Sequence, residues 1–352
     1  MQKYIRRTAL QLLRGTGVFR LVRNSQWRQH RLLILCYHGV AQEDEHQWRP
    51  GLYMHPKVLE QRLQILKEGR YNVVGLGEGL QSLRERRLPA RSVAITFDDG
   101  CYDFYTQAYP LLKRYGFPVT VYQTTYYSDY QKPIFNLICS YILWQRRGTV
   151  VEKGTELDLD QPMDLRTEAS RHQIVLKLVK RSEAQGLTGV QKNEIAAKLA
   201  GLLAIDYERL VAKRILQLMT AEEIAELGRA GVDFQLHTHR HRTPEDEMSF
   251  KKEIEDNRKR LREILGRDMA HFCYPSGVYK SSFLDWLKEE KVVSATTCDA
   301  GLASEDSDPL LLPRLVDTSA RSGLEFESWL NGVGSILALR KAASQRYVPH
   351  QD

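Results

Sequence analysis

The chain of 352 residues has no acidic residue in its first 42 positions, no closely spaced cysteine pair and no long apolar run. Each absence excludes something. A bilayer-spanning helix needs about 20 mostly apolar residues, and nothing here approaches that length. The foremost apolar stretches, Ala9 to Leu13 and Val18 to Val22, are broken by Arg14, Gly15 and Gly17, which makes a poor secretory signal. Five cysteines (Cys36, Cys101, Cys139, Cys273 and Cys298) are odd in number and spread along the chain. That usage reads as buried free thiols in a reducing compartment, hence a cytoplasmic location.

The missing acids explain the net charge of +7. Residues 1–42 carry eight basic side chains (Lys3, Arg6, Arg7, Arg14, Arg20, Arg23, Arg28 and Arg31), so the remainder stands at −1. A nucleic-acid partner is not expected, because the body shows no basic excess. Ile5, Ala9, Leu12 and Leu13 fall at i, i+4, i+7 and i+8, one apolar stripe between basic residues. Residues 1–30 therefore read either as an interfacial helix on an anionic membrane, at its inner face, or as a disordered basic leader.

Two stretches carry chemistry. Ala94-Ile95-Thr96-Phe97-Asp98-Asp99-Gly100 is a short apolar strand ending in adjacent carboxylates and a glycine. His237-Thr238-His239-Arg240-His241 offers imidazoles at i and i+4, on one side of a helical turn or tight loop. One carboxylate with two histidines is a three-ligand set that leaves a divalent metal an open position for water. The second carboxylate remains free to take a proton from that water.

The body alternates strands and helices by apolar period. Strands are expected at Leu32–Tyr37, Asn72–Gly75, Val93–Phe97, Val119–Gln123, Asp233–Leu236, His271–Tyr274, Val292–Thr297 and Leu310–Val316. Helices are expected at Pro56–Glu68, Gly77–Arg86, Tyr102–Tyr115, Ala221–Ala230, Glu245–Leu265 and Ser281–Glu290, with Thr220 and Glu223 as a capping box. Such alternation implies an α/β fold with a parallel sheet. Seven or eight strands favour a barrel, in which chemistry sits at the strand C-terminal ends. His38, Asp98, Asp99, His237 and Ser276 all follow predicted strands.

Phe-Asp-Asp-Gly followed by His-Thr-x-x-His resembles the polysaccharide deacetylase family, the family 4 carbohydrate esterases with a nodulation-type deacetylase domain. Tyr37-His38-Gly39-Val40, Ala108-Tyr109-Pro110-Leu111-Leu112, Tyr115-Gly116-Phe117-Pro118 and Tyr274-Pro275-Ser276-Gly277-Val278-Tyr279 add to the likeness, which is closer to the exopolysaccharide-type branch. It covers roughly residues 31–128 and 217–330 and leaves the intervening segment outside.

The resemblance implies an irregular (β/α)7-type barrel with a helical insertion. Its parts would be a basic amphipathic leader at 1–30, the barrel at 31–128 and 217–330, the insertion at 129–216, and a C-terminal helix and tail at 331–352. Within the insertion, Ile134 to Trp144 and Ser170 to Leu203 read as helical. The implied activity is metal-dependent removal of N-acetyl groups from an N-acetylated sugar in a polysaccharide, oligosaccharide or lipid-linked precursor. A sugar deformylase or O-acetyl esterase would use the same constellation, and a non-catalytic carbohydrate-binding relative is the competing class.

Carried over residue by residue, Asp99, His237 and His241 match the metal ligands and Asp98 the catalytic base. Zinc suits such a set, and cobalt or nickel would also bind it. The backbone N–H at Ser276, after Tyr274, matches the oxyanion donor. His239 reads as the variable position between ligands, and Tyr126, Tyr127 and Tyr130 as aromatics able to stack on a sugar.

Two departures stand out. Cys273 occupies the place of the arginine that orients the base, and that arginine's acidic partner has no counterpart. The family's Leu-x-His, which supplies a general acid, reads Leu312-Pro313-Arg314 here, with no histidine from Cys273 to Pro349. Arg314 cannot give up a proton near neutral pH, so a role in binding substrate or stabilising charge is expected of it. The acid then falls to Asp98, once it has taken the water's proton, or to His38.

Overall fold

The computed structural model describes residues 2–152, 157 and 162–342, with side chains from 7 to 338 within that range. Eight strands form one parallel sheet: β1 Leu33–Tyr37, β2 Asn72–Val73, β3 Ser92–Phe97, β4 Thr120–Gln123, β5 Asp233–Leu236, β6 His271–Cys273, β7 Ser294–Thr296 and β8 Leu315–Val316. The order is β7-β6-β5-β4-β3-β1-β8, with β2 added on β3. The sheet curls until its ends meet. Leu312, just before β8, bridges Thr296 of β7, and the Leu312 N–H donates to Ala295 O. The expected α/β barrel of irregular (β/α)7 type is the observed fold.

Alternation along the strands sorts side chains into two layers. Leu33, Leu35, Tyr37, Val93, Ile95 and Phe97 belong to the core that packs against the surrounding helices. Leu32, Ile34, Ala94, Tyr122 and Cys273 belong to a second, inner cluster. Both faces of β1 and β3 are therefore buried, as expected of a covered parallel sheet.

Every expected strand is present, some trimmed for a local reason. The stretch from Leu310 keeps only Leu315–Val316 as a strand, because Pro313 cannot donate to the ladder between Leu312 and Leu315. The helix expected over Tyr102–Tyr115 contains a π-helical turn, Phe104–Ala108, before α-helix resumes at Tyr109. Pro110 explains it: its ring lacks an N–H and crowds the carbonyl of Thr106, four residues back.

The segment 129–216 has its own core. Helices Phe135–Gln145, Glu168–Ala184, Gly189–Leu202 and Tyr207–Ala212 bury Ile142, Leu178, Leu199 and Leu210, together with Tyr53 from a barrel loop. Its exit is strapped to the barrel: Met219 N–H donates to Gly100 O, and Tyr102 N–H to Gln217 O. The lobe is thus fastened to the turn that carries the paired carboxylates.

Residues 1–30, expected as a separate leader, pack on the barrel in the part described. Helices Gln2–Gly15 and Val18–Asn24 place Leu10 and Phe19 against Val333, and Gln26–Gln29 carries Arg28 inward. Arg28 is fully buried, donating to the carbonyls of Leu330, Arg31 and Ser92. One of the eight basic residues is therefore a structural peg that satisfies backbone acceptors at the start of β3. Ile5 of the predicted stripe lies outside the described side chains. The C-terminal helix runs Val333–Ala342, and the tail beyond it lies outside the described residues. Among the described residues, no helix is long and apolar enough to cross a membrane.

Candidate active site

Strand register brings the motif residues together. Tyr37 pairs with Phe97, so His38 and Asp98 leave adjacent strands side by side. Phe272 pairs with Leu236, which sets His237 beside Cys273. Gly100 completes the turn after Asp99 at φ 79°, and a Cβ there would fall 1.9 Å from Gln123 Oε1. Only glycine fits that approach. Asp99 itself stands at φ 71°, turned out of the strand direction toward the histidines.

Asp99 Oδ1 lies 3.3 Å from His237 Nε2 and 3.2 Å from His241 Nε2. That oxygen is buried and has no hydrogen-bond partner, a costly state for a carboxylate unless something else meets it. The His237 Nδ1–H donates to Cys273 O at 2.9 Å, which leaves Nε2 as the nitrogen facing Asp99. His241, on the same tight loop at φ 55°, is exposed and turns back to join them. Burial opposes charge on Asp99, but His241 and His237 override it and hold the carboxyl well below its usual range. The donor set, two imidazole nitrogens and an orphaned carboxylate oxygen, with His241 on the solvent side, fits a divalent metal.

Asp98 lives differently. Its two oxygens accept the Arg314 fork, Oδ1 from Nη1 at 2.7 Å and Oδ2 from Nη2 at 2.8 Å. The rest of the guanidinium is satisfied too: Nε donates to Thr297 O, Nη1 also to Thr96 Oγ1, and Nη2 also to Cys273 Sγ at 3.1 Å. Thiols of Cys36 and Cys273 approach Asp98 Oδ2 at 3.5 and 3.4 Å. Burial alone would raise the Asp98 carboxyl, but Arg314 outweighs it and holds the group far below the usual range. His38 Nε2 stands 3.9 Å from Asp98 Oδ2, with its side chain part-exposed. Two further groupings, Cys36 with His38 and Asp98, and Asp98 with His237 and Cys273, have ligand spacing. They are poor ligand sets, because Asp98 is occupied by Arg314 and burial pushes both thiols well up, keeping them protonated.

Of the two roles expected of Arg314, the structure favours stabilising charge, that of Asp98, over binding substrate. Its side chain is fully buried beneath Asp98. The arginine missing at Cys273 is thus replaced from the last strand, and its fork lies against the sulfur that stands in its place. Tyr274 is also buried, its hydroxyl donating to Leu310 O. Ser276 is exposed at φ 55°, in a turn whose Gly277 packs on Cys298. His239 faces neither carboxylate: its Nδ1 lies 2.8 Å from Thr125 Oγ1 and its ring meets Tyr126 edge-on. Tyr126 is exposed, whereas Tyr127 and Tyr130 are partly buried.

Sequence reasoning missed the residues that hold the histidine loop. Helix Glu247–Leu265 buries Phe250, Glu253, Ile254, Asn257 and Leu261 on one face. Asn257 Oδ1 accepts the His237 N–H, while its Nδ2 donates to Gln123 O and Thr125 Oγ1. Glu253 accepts from the Arg240 N–H and from the side chains of Arg240 and Arg242. The available signal was a Glu and an Asn, four apart, inside an otherwise apolar helical stripe.

Fold and site together define a curled parallel α/β barrel with a two-histidine, one-carboxylate centre at the strand C-termini. The chain belongs to the polysaccharide deacetylase family, whose model matches residues 85–159 and 166–324. That match runs through most of the segment the motifs alone left outside, and omits Tyr37-His38-Gly39-Val40. Among curated proteins, YxkH of Bacillus subtilis is 32% identical over 93 residues, spanning 26% of this chain and 31% of that protein. The poly-β-1,6-N-acetyl-D-glucosamine N-deacetylase of Escherichia coli is 27% identical over 99 residues, 28% of this chain and 14% of that protein. The chain thus matches less than a third of the length of either relative. Among solved structures, the Streptococcus pyogenes deacetylase PplD superposes with TM-score 0.54 at 20% identity, covering 83% of this chain and 94% of that one. IcaB from Ammonifex degensii gives 0.53 at 18% identity, covering 86% and 97%. These two likenesses show the fold.

Proposed function

We propose that this protein removes N-acetyl groups from an N-acetylated sugar within a polysaccharide, by metal-assisted hydrolysis. The observation that carries the reading is the convergence of Asp99 Oδ1 with His237 Nε2 and His241 Nε2, beside a second carboxylate held off that centre by Arg314. Family membership supports the reaction class, and the Escherichia coli relative supplies the substrate class.

Asp99, His237 and His241 would hold the ion, for which zinc, cobalt or nickel fits. When bound, such an ion supplies a Lewis acid for the amide carbonyl and makes a water acidic enough to act near neutral pH. The protein supplies the rest. The Cys273 carbonyl and Asn257 fix the His237 ring and backbone. Arg314 keeps Asp98 ionised and immobile, ready to accept the water's proton. The same fork makes Asp98 a weak base, so a partner that takes the proton onward is needed. His38 is placed for that, close to Asp98 and open to solvent, and it gives the leaving amine nitrogen its proton. The backbone N–H of Ser276, in the turn after β6, would serve as the oxyanion donor, since the Gly277 and Val278 N–H groups donate within the turn.

The test is acetate release from a panel of N-acetylated and O-acetylated glycans, with metal analysis of the pure protein. Release from N-acetylated polymers, lost on chelation and restored by zinc, cobalt or nickel, is expected. Release only from O-acetylated sugars would make the protein an esterase. No release from any substrate by metal-loaded protein would make it a carbohydrate-binding relative.

A further inference from the structure

The acid-free segment at the front packs as two short helices with distinct faces. Leu10 and Phe19 turn inward, whereas Arg7, Leu12, Arg20 and Leu21 are exposed, Leu12 at 64% and Leu21 at 71%. Beside them lies a cavity of about 420 Å³ lined by Arg14, Arg20, Arg23, Phe19, Glu68 and Glu327. Arg14 reaches Glu327 at 3.5 Å, and with Glu68 two acids partly offset the three arginines of this wall. Large exposed leucines between arginines, on a body of charge −1 otherwise, form a small amphipathic face complementary to an anionic, partly apolar surface.

Its position is as informative as its charge. Arg28, three residues after the cap of this face's second helix, donates to Ser92 O at the first residue of β3. The metal-ligand set follows the last residues of the strands. The cationic face and the candidate active site therefore occupy opposite ends of the barrel.

We propose that the outer faces of residues 7–15 and of helix Val18–Asn24 dock on a bilayer containing anionic phospholipid, leaving the barrel mouth turned away from that membrane. Leu12 and Leu21 enter the headgroup layer and the arginines meet phosphates. In this pose the site faces a polymer in the aqueous phase rather than a headgroup of the same leaflet. The docking does not depend on the deacetylase reading and is measured without turnover.

The experiment is flotation of the full chain with vesicles of phosphatidylcholine alone or mixed with phosphatidylglycerol, at low and high salt. Co-flotation with the anionic vesicles only, weakened by salt, is expected. Each arginine near an anionic surface is worth about five-fold in partitioning, so Arg7→Gln with Arg20→Gln lowers it about 25-fold. Leu12→Gln with Leu21→Gln lowers it at both salt concentrations. Circular dichroism and the melting midpoint confirm that these surface variants fold. For orientation, a fluorophore on Cys298, the exposed cysteine near the site, stays unquenched by doxyl-labelled lipid. A fluorophore on Leu21→Cys, in a chain also carrying Cys298→Ser, is quenched. Failure of the wild type to float with any vesicle, or its binding to polyphosphate or nucleic acid instead, overturns the proposal. Equal flotation of the arginine variant overturns the assigned face, and quenching at Cys298 overturns the orientation.

Discussion

Asp98 and Asp99 are neighbours in sequence and occupy opposite environments. On one side of the turn, Asp98 is sealed in the barrel interior, with both oxygens in the fork of Arg314 and two thiols against it. On the other, Asp99 points an unpartnered oxygen at two imidazoles near solvent. Asp103, four residues on, is a third case: buried, accepting the Val40 N–H, and pushed well up by burial. The difference teaches that the aspartate side chain does not set its own role. A fixed guanidinium keeps one carboxylate ionised at rest, and an orphaned oxygen suits the next to the proposed ligand role.

Variants that break this contrast are ordered by expected effect on turnover. His237→Ala removes a buried imidazole of the proposed ligand set on the open side. Metal content by mass spectrometry falls with activity, by about 10³-fold or more, while the fold survives. Retention of both would dissolve the ligand set.

Arg314→Met attacks the sealed side. It leaves Asp98 buried and unpaired, at a cost of about 3–5 kcal/mol in chemical denaturation, and turnover falls at least as far as in the next variant. Combining it with Asp98→Asn recovers much of the stability and none of the turnover. A double variant as unstable as the single one would show that the pair is not the unit. Asp98→Asn alone keeps metal bound and lowers kcat about 10²-fold. Unchanged kcat would move the base elsewhere.

Asn257→Ala sharpens the comparison from outside, because it touches the histidine loop and neither carboxylate. Metal affinity, by competition with a chelator, drops about 10–100-fold. The smallest effect on turnover belongs to Asp103→Asn, read as stability against pH. A carboxyl raised in the folded state binds more protons there than when unfolded, so its contribution falls as pH rises from about 4 through the raised value. Asparagine keeps the acceptor for Val40 and removes that slope. The melting midpoint of the variant should therefore gain on the wild type between pH 4 and 8, and parallel curves would refute the burial argument.

Much of this was legible beforehand. The period of Leu32–Tyr37 and Val93–Phe97 located strands, and the residues after them located Asp98, Asp99 and His38. Thr220 and Glu223 form the expected capping box. Arg314 was legible only as a departure from Leu-x-His, with a charge-stabilising role left open and no partner named. Its partner lies 216 positions away, a relation no local pattern expresses. Glu253 and Asn257 were hidden for a related reason, since a polar residue in an apolar stripe is visible while its acceptors are not. Arg28 was counted as leader charge because composition cannot separate an arginine facing solvent from one capping carbonyls.

By itself, the sequence determined where the strands lie, though not their exact ends, which residues follow their C-terminal tips, and that one carboxylate and two imidazoles were available as ligands. These depend on local terms: apolar period, turn chemistry and i, i+4 spacing. The tertiary structure decided which groups pair. Curling the sheet until Leu312 meets Thr296 carries β8, and Arg314 just before it, under the Asp98 turn. Burial then makes a free carboxylate so costly that the cation supplied by the last strand fixes its charge.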